Sequence, residues 1–405
     1  MRRLGLILLL AVSLCTPAQA GAAERSAPAS AEFQQFLQAI WPLAQAKGVR
    51  RETFDAALQG LEPDPAAPTA ASKQAEFDKP LSAYLAEAVS AQRIQRGRAA
   101  LKQWDADLVR IEPRFGVPRE ILVATFGVES DYGRAQDGKD LIRSLATLAF
   151  KRQDRALFLD EFVSALVILD KGEVPRARLT GSWAGAMGGP QFIPSAYLKY
   201  AVSADGSAFP DIWGRPQDSL ASIANFLRQS GWRPGLPWGI EVILPQNFDF
   251  ASLHRSFADF ANLGVVSADK SPLPSAGEAT LFLPSGAQGP AFLLSENYWV
   301  LKQYNNSDSY AVSLGLLADR IKGEPGLRGH WPAGEVFLSR TQKAEIQSLL
   351  EKLGFYKGSI DGRFGQASRD AIHDFQIGVK VAPADGYGSM DVLRRLREAA
   401  DGSVQ

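Results

Sequence analysis

Over most of the first two-thirds of the chain, apolar positions recur at three- and four-residue steps, the spacing of helices that bury one stripe. Phe33, Phe36, Ile40, Leu43 and Ala44 mark such a stretch within Glu32–Leu61, followed by Phe54, Ala57 and Leu58. Pro63–Ala71 reads as a Pro- and Ala-rich connection. Helical spacing resumes from Leu81 to Trp104, with Tyr84, Val89 and Ile94 among its apolar positions, and leads through Phe115 into a sharply bounded segment, Pro118–Gly133. In that segment Ile121, Leu122, Thr125, Val128 and Tyr132 share one face. Pro118 suits the first helical position and Gly133 the residue just past the end. Leu145–Phe150 and Phe158–Leu169 are again helical in spacing. No strong alternation appears before about Ile240. Within Ile240–Leu294, Val242–Leu244 and Thr280–Leu283 read as short strands, and Glu296–Ile321 returns to helix. The pattern predicts an α+β chain, mainly α.

Gly323–Gly334, rich in Gly and Pro, reads as the core of a linker. Beyond it Ile346, Leu349, Leu350 and Leu353 make an amphipathic helix ended by Gly354. Ala371, Ile372 and Phe375 mark a second helix and Leu393 with Leu396 a third, with turn chemistry at Asp361-Gly362 and Asp385-Gly386. The expected organisation is a leader over 1–20, a flexible lead over 21–31, a main domain over 32–322, a linker over 323–337 and a three-helix module over 338–398.

Composition narrows the chemistry. Across 405 residues the 44 basic and 44 acidic side chains balance, so no global pull toward nucleic acid or anionic lipid is indicated. Met1-Arg2-Arg3, the apolar run Leu4–Leu14 and Ala18-Gln19-Ala20 have the three parts of a cleavable secretory signal. The apolar run is too short for a permanent membrane span. Export to the periplasm with cleavage after Ala20 is expected. The single cysteine, Cys15, lies inside this signal, and Leu14 before it argues against lipid attachment. The mature chain then has no disulfide or thiol nucleophile. Three scattered histidines, His254, His330 and His373, do not suggest a metal centre or a His-based triad. Carboxylates remain, and no cofactor or metal is expected.

One carboxylate stands out. Glu129 lies four residues after Thr125 and eight after Ile121, so it points into the apolar side of its helix. Desolvation and the negative end of the helix dipole both favour its protonated form, as a proton donor requires. A buried Glu paired with an Arg for structure alone is the competing reading. The run Gly181-Ser-Trp-Ala-Gly-Ala-Met-Gly-Gly-Pro-Gln-Phe-Ile-Pro-Ser195 has too many glycines for a helix and too few charges for a solvent loop. Such a run lets backbone approach a ligand or a facing helix. It also carries Ser182 and Gln191, able to fix hydroxyl or amide groups. Tyr197, Tyr200, Trp213, Trp232 and Trp238 follow, either core or sugar-stacking surfaces. Ser203–Asp211 has the outline of a calcium loop with too few oxygen ligands, only Asp205 and Asp211 with Asp218 further on, and reads as a surface turn.

Gly-Val-Glu129-Ser-Asp-Tyr-Gly together with the Gly181–Ser195 run closely resembles the membrane-bound lytic murein transglycosylase B family. The likeness runs from about Tyr84 to Ile321 and includes Ala221-Ser-Ile-Ala-Asn-Phe226 and Tyr304-Asn-Asn-Ser-Asp-Ser-Tyr310. Leu338–Leu396 resembles a three-helix peptidoglycan-binding module, through Phe355-Tyr-Lys-Gly-Ser-Ile-Asp-Gly-Arg-Phe-Gly365 and Ala371-Ile-His-Asp-Phe-Gln376. The resemblance implies a lysozyme-like catalytic domain acting on peptidoglycan glycan strands, at the β-1,4 bond between N-acetylmuramic acid and N-acetylglucosamine. It implies Glu129 as sole acid/base, with Tyr84, Ser182, Gln191, Tyr304, Asn305 and Tyr310 lining the sugar cleft. Phe226 stands where some members carry a cleft Tyr. The calcium loop of some members is degraded here.

Hydrolytic glycosidases usually use two carboxylates, roughly 5 Å or 6.5–9.5 Å apart. Asp131 would leave the helix on another side from Glu129, and no second acidic motif of comparable placement is evident. A transglycosylase needs none, because the muramic acid 6-hydroxyl attacks intramolecularly. A hydrolytic muramidase on the same fold and a non-catalytic wall-binding protein remain the alternatives. The terminal module is expected to act as a tether to insoluble wall.

Overall fold

The computed structural model describes residues 27–67, 79–334 and 336–402. The leader and Cys15 lie outside these residues, as does the second half of the Pro/Ala-rich connection. The chain forms two compact units, one of residues 27–67 with 95–230 and the other of 79–94 with 231–402.

The first unit is helical. Its centre is the antiparallel pair Leu141–Lys151 and Ala156–Asp170, whose Leu141, Ile142, Leu145, Phe162 and Leu166 are each fully buried. The Ala27–Ala39 helix lays Phe33 and Phe36 on Phe150, with ring centroids 5.4 Å apart in both pairs. That helix begins at Ala27, inside the stretch expected as a flexible lead. Arg119–Ser130 is the Pro118–Gly133 segment of the sequence pattern. Pro118 stands one place earlier than expected, as the N-cap at φ −56°, ψ 137°. A two-stranded ribbon, β1 (Lys139–Asp140) with β2 (Thr180–Gly181), leads into the glycine-rich run.

In the second unit the helical spacing expected from Leu81 to Trp104 is interrupted. A helix over Leu81–Ala88 stops at Val89, and the Ser90 hydroxyl accepts from Arg93 N at 3.4 Å as the next helix starts at Ala91. The β region is a five-stranded antiparallel sheet of β3 (Gly239–Ile243), β4 (His254–Ser256), β5 (Val266–Ser267), β6 (Glu278–Phe282) and β7 (Ala291–Leu294), in the order β4-β6-β7-β3-β5. β3 and β6 overlap the two stretches expected as strands, each ending one residue short of the expected limit, at Ile243 and Phe282. β4 and β5 are too short to show alternation, and β7 is buried at every position. Phe248, Phe257, Phe260, Leu281 and Leu293 form the core on this sheet.

Helices Glu296–Tyr304 and Asp308–Lys322 follow, then the terminal helices Arg340–Lys352, Gln366–Gly378 and Met390–Ala400. These last three enclose their own core of Ile346, Leu350, Ile372, Phe375, Leu393 and Leu396. Ser339 and Gln342 form a capping box that starts the first of them. The preceding stretch is fastened to the sheet, since Arg328 and Gly329 donate their amides to Glu241 of β3.

Candidate active site

The expected site residues fall into two groups, one in each unit. Glu129, Ser182 and Gln191 belong to the helical unit, and Tyr84, Tyr304, Asn305 and Tyr310 to the other.

Glu129 sits in the last turn of Arg119–Ser130 and is 3% exposed. The sequence pattern suggests one apolar face, but every residue from Ile121 to Ser130 is buried, so the helix is enclosed on all sides. Its buried hydroxyls are used internally. Thr125 donates to Ile121 O at 2.8 Å and Ser130 to Phe126 O at 3.1 Å.

The helix ends in a left-handed closure, with Asp131 N bonded back to Gly127 O and Tyr132 N to Phe126 O. The left-handed position expected of Gly133 is taken first by Asp131 (φ 48°) and Tyr132 (φ 60°), before Gly133 (φ 82°). Two features hold non-glycine residues there. Asp131 accepts from Arg96 at 2.8 Å, and the Tyr132 ring lies over Gly127, where a Cβ would stand 2.5 Å from it. The backbone just after Glu129 is thereby turned sharply and held.

The glycine-rich run folds back on itself. Met187 and Phe192 exchange backbone hydrogen bonds, and Gly188 and Gln191 take left-handed conformations between them. Gly189 meets the Glu129 helix directly: a Cβ there would lie 2.4 Å from the Phe126 ring and 2.6 Å from Ser219 Oγ. Close approach to a facing helix is what this glycine permits.

Ser182 and Gln191 are both buried and both serve the loop. Ser182 Oγ accepts from Ala184 N and Ala186 N at 3.2 and 3.1 Å. Gln191 Nε2 donates to Gly188 O at 2.9 Å. The far end of the run is pinned by Glu161, which accepts from Ser195 N at 2.8 Å and from Ser195 Oγ at 2.6 Å. Phe226 packs edge-on against Tyr200, centroids 4.8 Å apart, and Trp213 donates to Thr180 O. Tyr197, Trp232 and Trp238 are buried, so these three are core in their own units.

In the other unit Tyr304 ends one helix and Tyr310 lies in the first turn of the next, their rings stacked 6.4 Å apart at 14°. Asn305 is 5% exposed, and Ser307 caps the second helix by accepting from Tyr310 N. Tyr84 is half-buried on the Leu81–Ala88 helix, which packs on Asp308–Lys322. The unit thus brings its four expected residues onto three adjoining helices, Tyr84 on Leu81–Ala88, Tyr304 and its capping neighbour Asn305 on Glu296–Tyr304, and Tyr310 on Asp308–Lys322.

A family model described as a transglycosylase SLT domain matches residues 32–319. The chain belongs to this transglycosylase family. A second model, for a peptidoglycan binding domain, matches 339–396. SltB3 from Pseudomonas aeruginosa, solved in complex with NAG-anhNAM-pentapeptide, is 42% identical with a TM-score of 0.82, covering 90% of this transglycosylase and 99% of that chain. Membrane-bound lytic murein transglycosylase B of Escherichia coli strain K12 is 29% identical over 244 residues, 59% of this chain. The chain spans 66% of the length of that curated relative.

Escherichia coli Slt35, solved in complex with calcium, is 26% identical with a TM-score of 0.60, covering 72% of this transglycosylase and 93% of that chain. In this chain the acids of the Ser203–Asp218 turn are engaged by other partners. Asp205 is paired with Arg215 at 2.7 Å and accepts from Ser203, while buried Asp218 accepts from the amides of Ala204 and Asp211 at 2.9 Å each. Asp211 is paired with Arg178. Among the described residues no group of three or more His, Cys, Asp or Glu is gathered for a metal. The Arg215 guanidinium, 3.7 Å from Asp218, supplies positive charge to this turn from within the chain.

Sequence reasoning missed Glu161 and the structural use of Asp218, two further buried carboxylates in the Glu129 unit. Glu161 lies one turn into the apolar run Phe158–Leu169, and that placement was the available signal. Burial raises its pKa above the ordinary value, against the lowering effect of the Ser195 hydroxyl and amide.

Proposed function

We propose that this transglycosylase cleaves the β-1,4 bond between N-acetylmuramic acid and N-acetylglucosamine in peptidoglycan with Glu129 as its single acid/base, leaving 1,6-anhydromuramic acid ends. The observation that carries this reading is the state of the acids in the Glu129 unit. Asp131 is paired with Arg96, Glu161 is spent on Ser195 and Asp218 on two backbone amides. Glu129 alone combines burial, a helix C-terminal turn and contact of its helix with the glycine-rich run. The relative bound to an anhydro-sugar product supports the same chemistry.

In this reaction Glu129 gives its proton to the glycosidic oxygen as the bond to the muramic acid C1 breaks. The substrate's acetamido oxygen stabilises the cationic carbon. The Glu129 carboxylate then takes the proton of the 6-hydroxyl as that oxygen bonds to C1. Water is neither consumed nor needed, and the effective molarity of the tethered hydroxyl favours it over solvent. Burial and the negative helix end favour the protonated starting form. Ser182 and Gln191 act through the loop they fold, and Tyr84, Tyr304, Asn305 and Tyr310 contact the glycan. The 1–20 segment is a cleaved export signal and the site of action is the periplasm, where this substrate lies. The domain limits are 32–322 and 338–398, the latter holding the enzyme to the wall.

Mass spectrometry of fragments released from purified sacculi tests the reading. Anhydro ends are lighter than hydrolysis products by one water, roughly 18 Da, as intramolecular capture requires. Predominantly reducing muramic acid ends would make the enzyme a hydrolase and return attention to Glu161.

A further inference from the structure

The terminal module is bonded into the unit that carries Tyr304–Tyr310, and its deepest contact reaches that turn. Asp308, the first residue of the Asp308–Lys322 helix, is enclosed by three donors. Two come from its own neighbourhood, Lys302 Nζ at 2.6 Å and Tyr298 OH at 2.5 Å. The third is Arg369 of the module, whose Nη1 stands 2.6 Å from Asp308 Oδ2. The side chains of Lys302, Asp308 and Arg369 are 9%, 14% and 13% exposed. The Arg369 guanidinium also lies over the Phe282 ring at 4.8 Å. Burial by itself would raise the pKa of Asp308, but Arg369 and Lys302 hold it well below the ordinary value.

Around this centre the seam is specific. His373 Nε2 lies 2.7 Å from Phe250 O, His254 Nε2 lies 3.0 Å from Asp370, and Asp385 accepts from Ala287 N at 3.0 Å. A Cβ on Gly286 would approach Asp385 to 3.0 Å, so the two surfaces are in close contact.

A flexibly tethered module needs none of this. A buried ionic network contributes little net stability compared with apolar packing, but it favours one geometry over its alternatives. Here the geometry it selects is that of Asp308, three residues after Asn305 and two before Tyr310.

We propose that Arg369 is a positioning residue for glycan binding: through Asp308 the peptidoglycan-binding module sets the Tyr304–Tyr310 turn, in addition to tethering the enzyme. This rests on the reading of that turn as glycan-contacting.

The test uses full-length protein and short, soluble, uncrosslinked glycan strands, on which tethering to insoluble wall has no bearing. Arg369→Gln is expected to raise KM about tenfold with kcat changed less than threefold, as loss of ground-state positioning across a coupled contact implies. Arg369→Lys, which keeps the charge, should recover most of the loss. Arg395→Gln, on an exposed face of the module, should match wild type. Wild-type constants for Arg369→Gln, with lost retention on insoluble sacculi, would reduce the module to a tether and overturn the proposal.

Asn305→Ala on the same substrate shows which claim has failed. A raised KM there with wild-type Arg369→Gln sinks the brace alone, and wild-type constants in both sink the glycan-contacting turn as well. Should Arg369→Gln not fold, the double variant His254→Gln/Asp385→Asn loosens the same seam from its more exposed side. A KM raised at least about threefold is then expected, and unchanged constants overturn the proposal.

Discussion

The Glu129 helix and the Tyr304–Tyr310 turn are both buried, and they are held in opposite ways. Around Glu129 the restraints come mostly from nearby in the chain. Tyr132 folds onto Gly127, Ser130 accepts from Gly133 N at 3.1 Å, and the closing hydrogen bonds span one helical turn. The buried Glu161 in that unit is met by the neutral donors of Ser195 and its pKa rises. The Glu129 helix end also meets one distant cation, Arg96, but at half-buried Asp131. The Tyr304–Tyr310 turn has its distant cation, Arg369, 61 positions away, on a buried acid that stays ionised. Neutral donors leave a buried carboxyl able to hold a proton, whereas paired cations turn it into a fixed charge that organises structure. In the first setting Glu161 shows that the unit can favour a protonated buried carboxyl, whereas the second, that of Asp308, suits positioning.

The largest expected effect tests the first setting. Glu129→Gln is nearly isosteric and removes the transferable proton. Turnover should fall by ~10²–10⁴-fold or more with the fold intact, since general acid–base catalysis typically contributes that much. Sacculus clearing alongside circular dichroism measures both, and clearing within about tenfold of wild type would contradict the assignment.

Next is the contact between the glycine-rich run and the Glu129 helix. Gly189→Ala places a methyl 2.4 Å from the Phe126 ring. Overpacking of this kind costs about 1–3 kcal/mol, read as a lower denaturant midpoint, and turnover should fall with it. An unchanged midpoint would mean the run is not held against the helix as described.

A smaller effect is expected at the helix end. Asp131→Asn tolerates the left-handed backbone but loses the charge that meets Arg96, in a pair whose side chains are each 25% exposed. The loss should be about 1 kcal/mol or less. A much larger loss of stability would show that the left-handed closure depends on the ion pair.

The smallest effect sharpens the other side of the comparison. The Asp370 hydrogen bond raises the pKa of His254 above its ordinary 6.5, with burial opposing. The protonated form is therefore favoured by folding, and its contribution is present below pH 6.5 and lost as pH rises through the raised value. The difference in melting temperature between wild type and His254→Gln should shrink across that window. His254 is half-exposed, so the effect is small. A difference that grows with pH would contradict the seam as described.

Much of the Glu129 setting was legible in the sequence because it is written in short spacings. Thr125 and Ile121 place Glu129 toward apolar neighbours, and the glycine density of 181–195 announces a close backbone approach, which Gly189 makes to Phe126. The three terminal helices were equally plain from their apolar periods. What stayed hidden depends on pairing across distance. Arg369 and Asp308 look like surface charges on two unrelated amphipathic helices, and the partner of Glu161, though its place in an apolar run hints at burial, is not visible until packing brings Ser195 to it. Asp131 as the closing residue was masked by the better helix-ending residue two places on, since only the Arg96 pair and the Tyr132 ring explain it.

The central claim is that a single buried acid suffices because the substrate supplies its own nucleophile. Cleavage of sacculi in water enriched in heavy oxygen tests it most directly. Expected are muramic acid ends that carry no heavy oxygen at C1 from the first turnover, with product from Glu129→Gln reduced by at least ~10²-fold. Heavy oxygen at C1 of most newly formed ends would show that water attacks, and that a second group activates it.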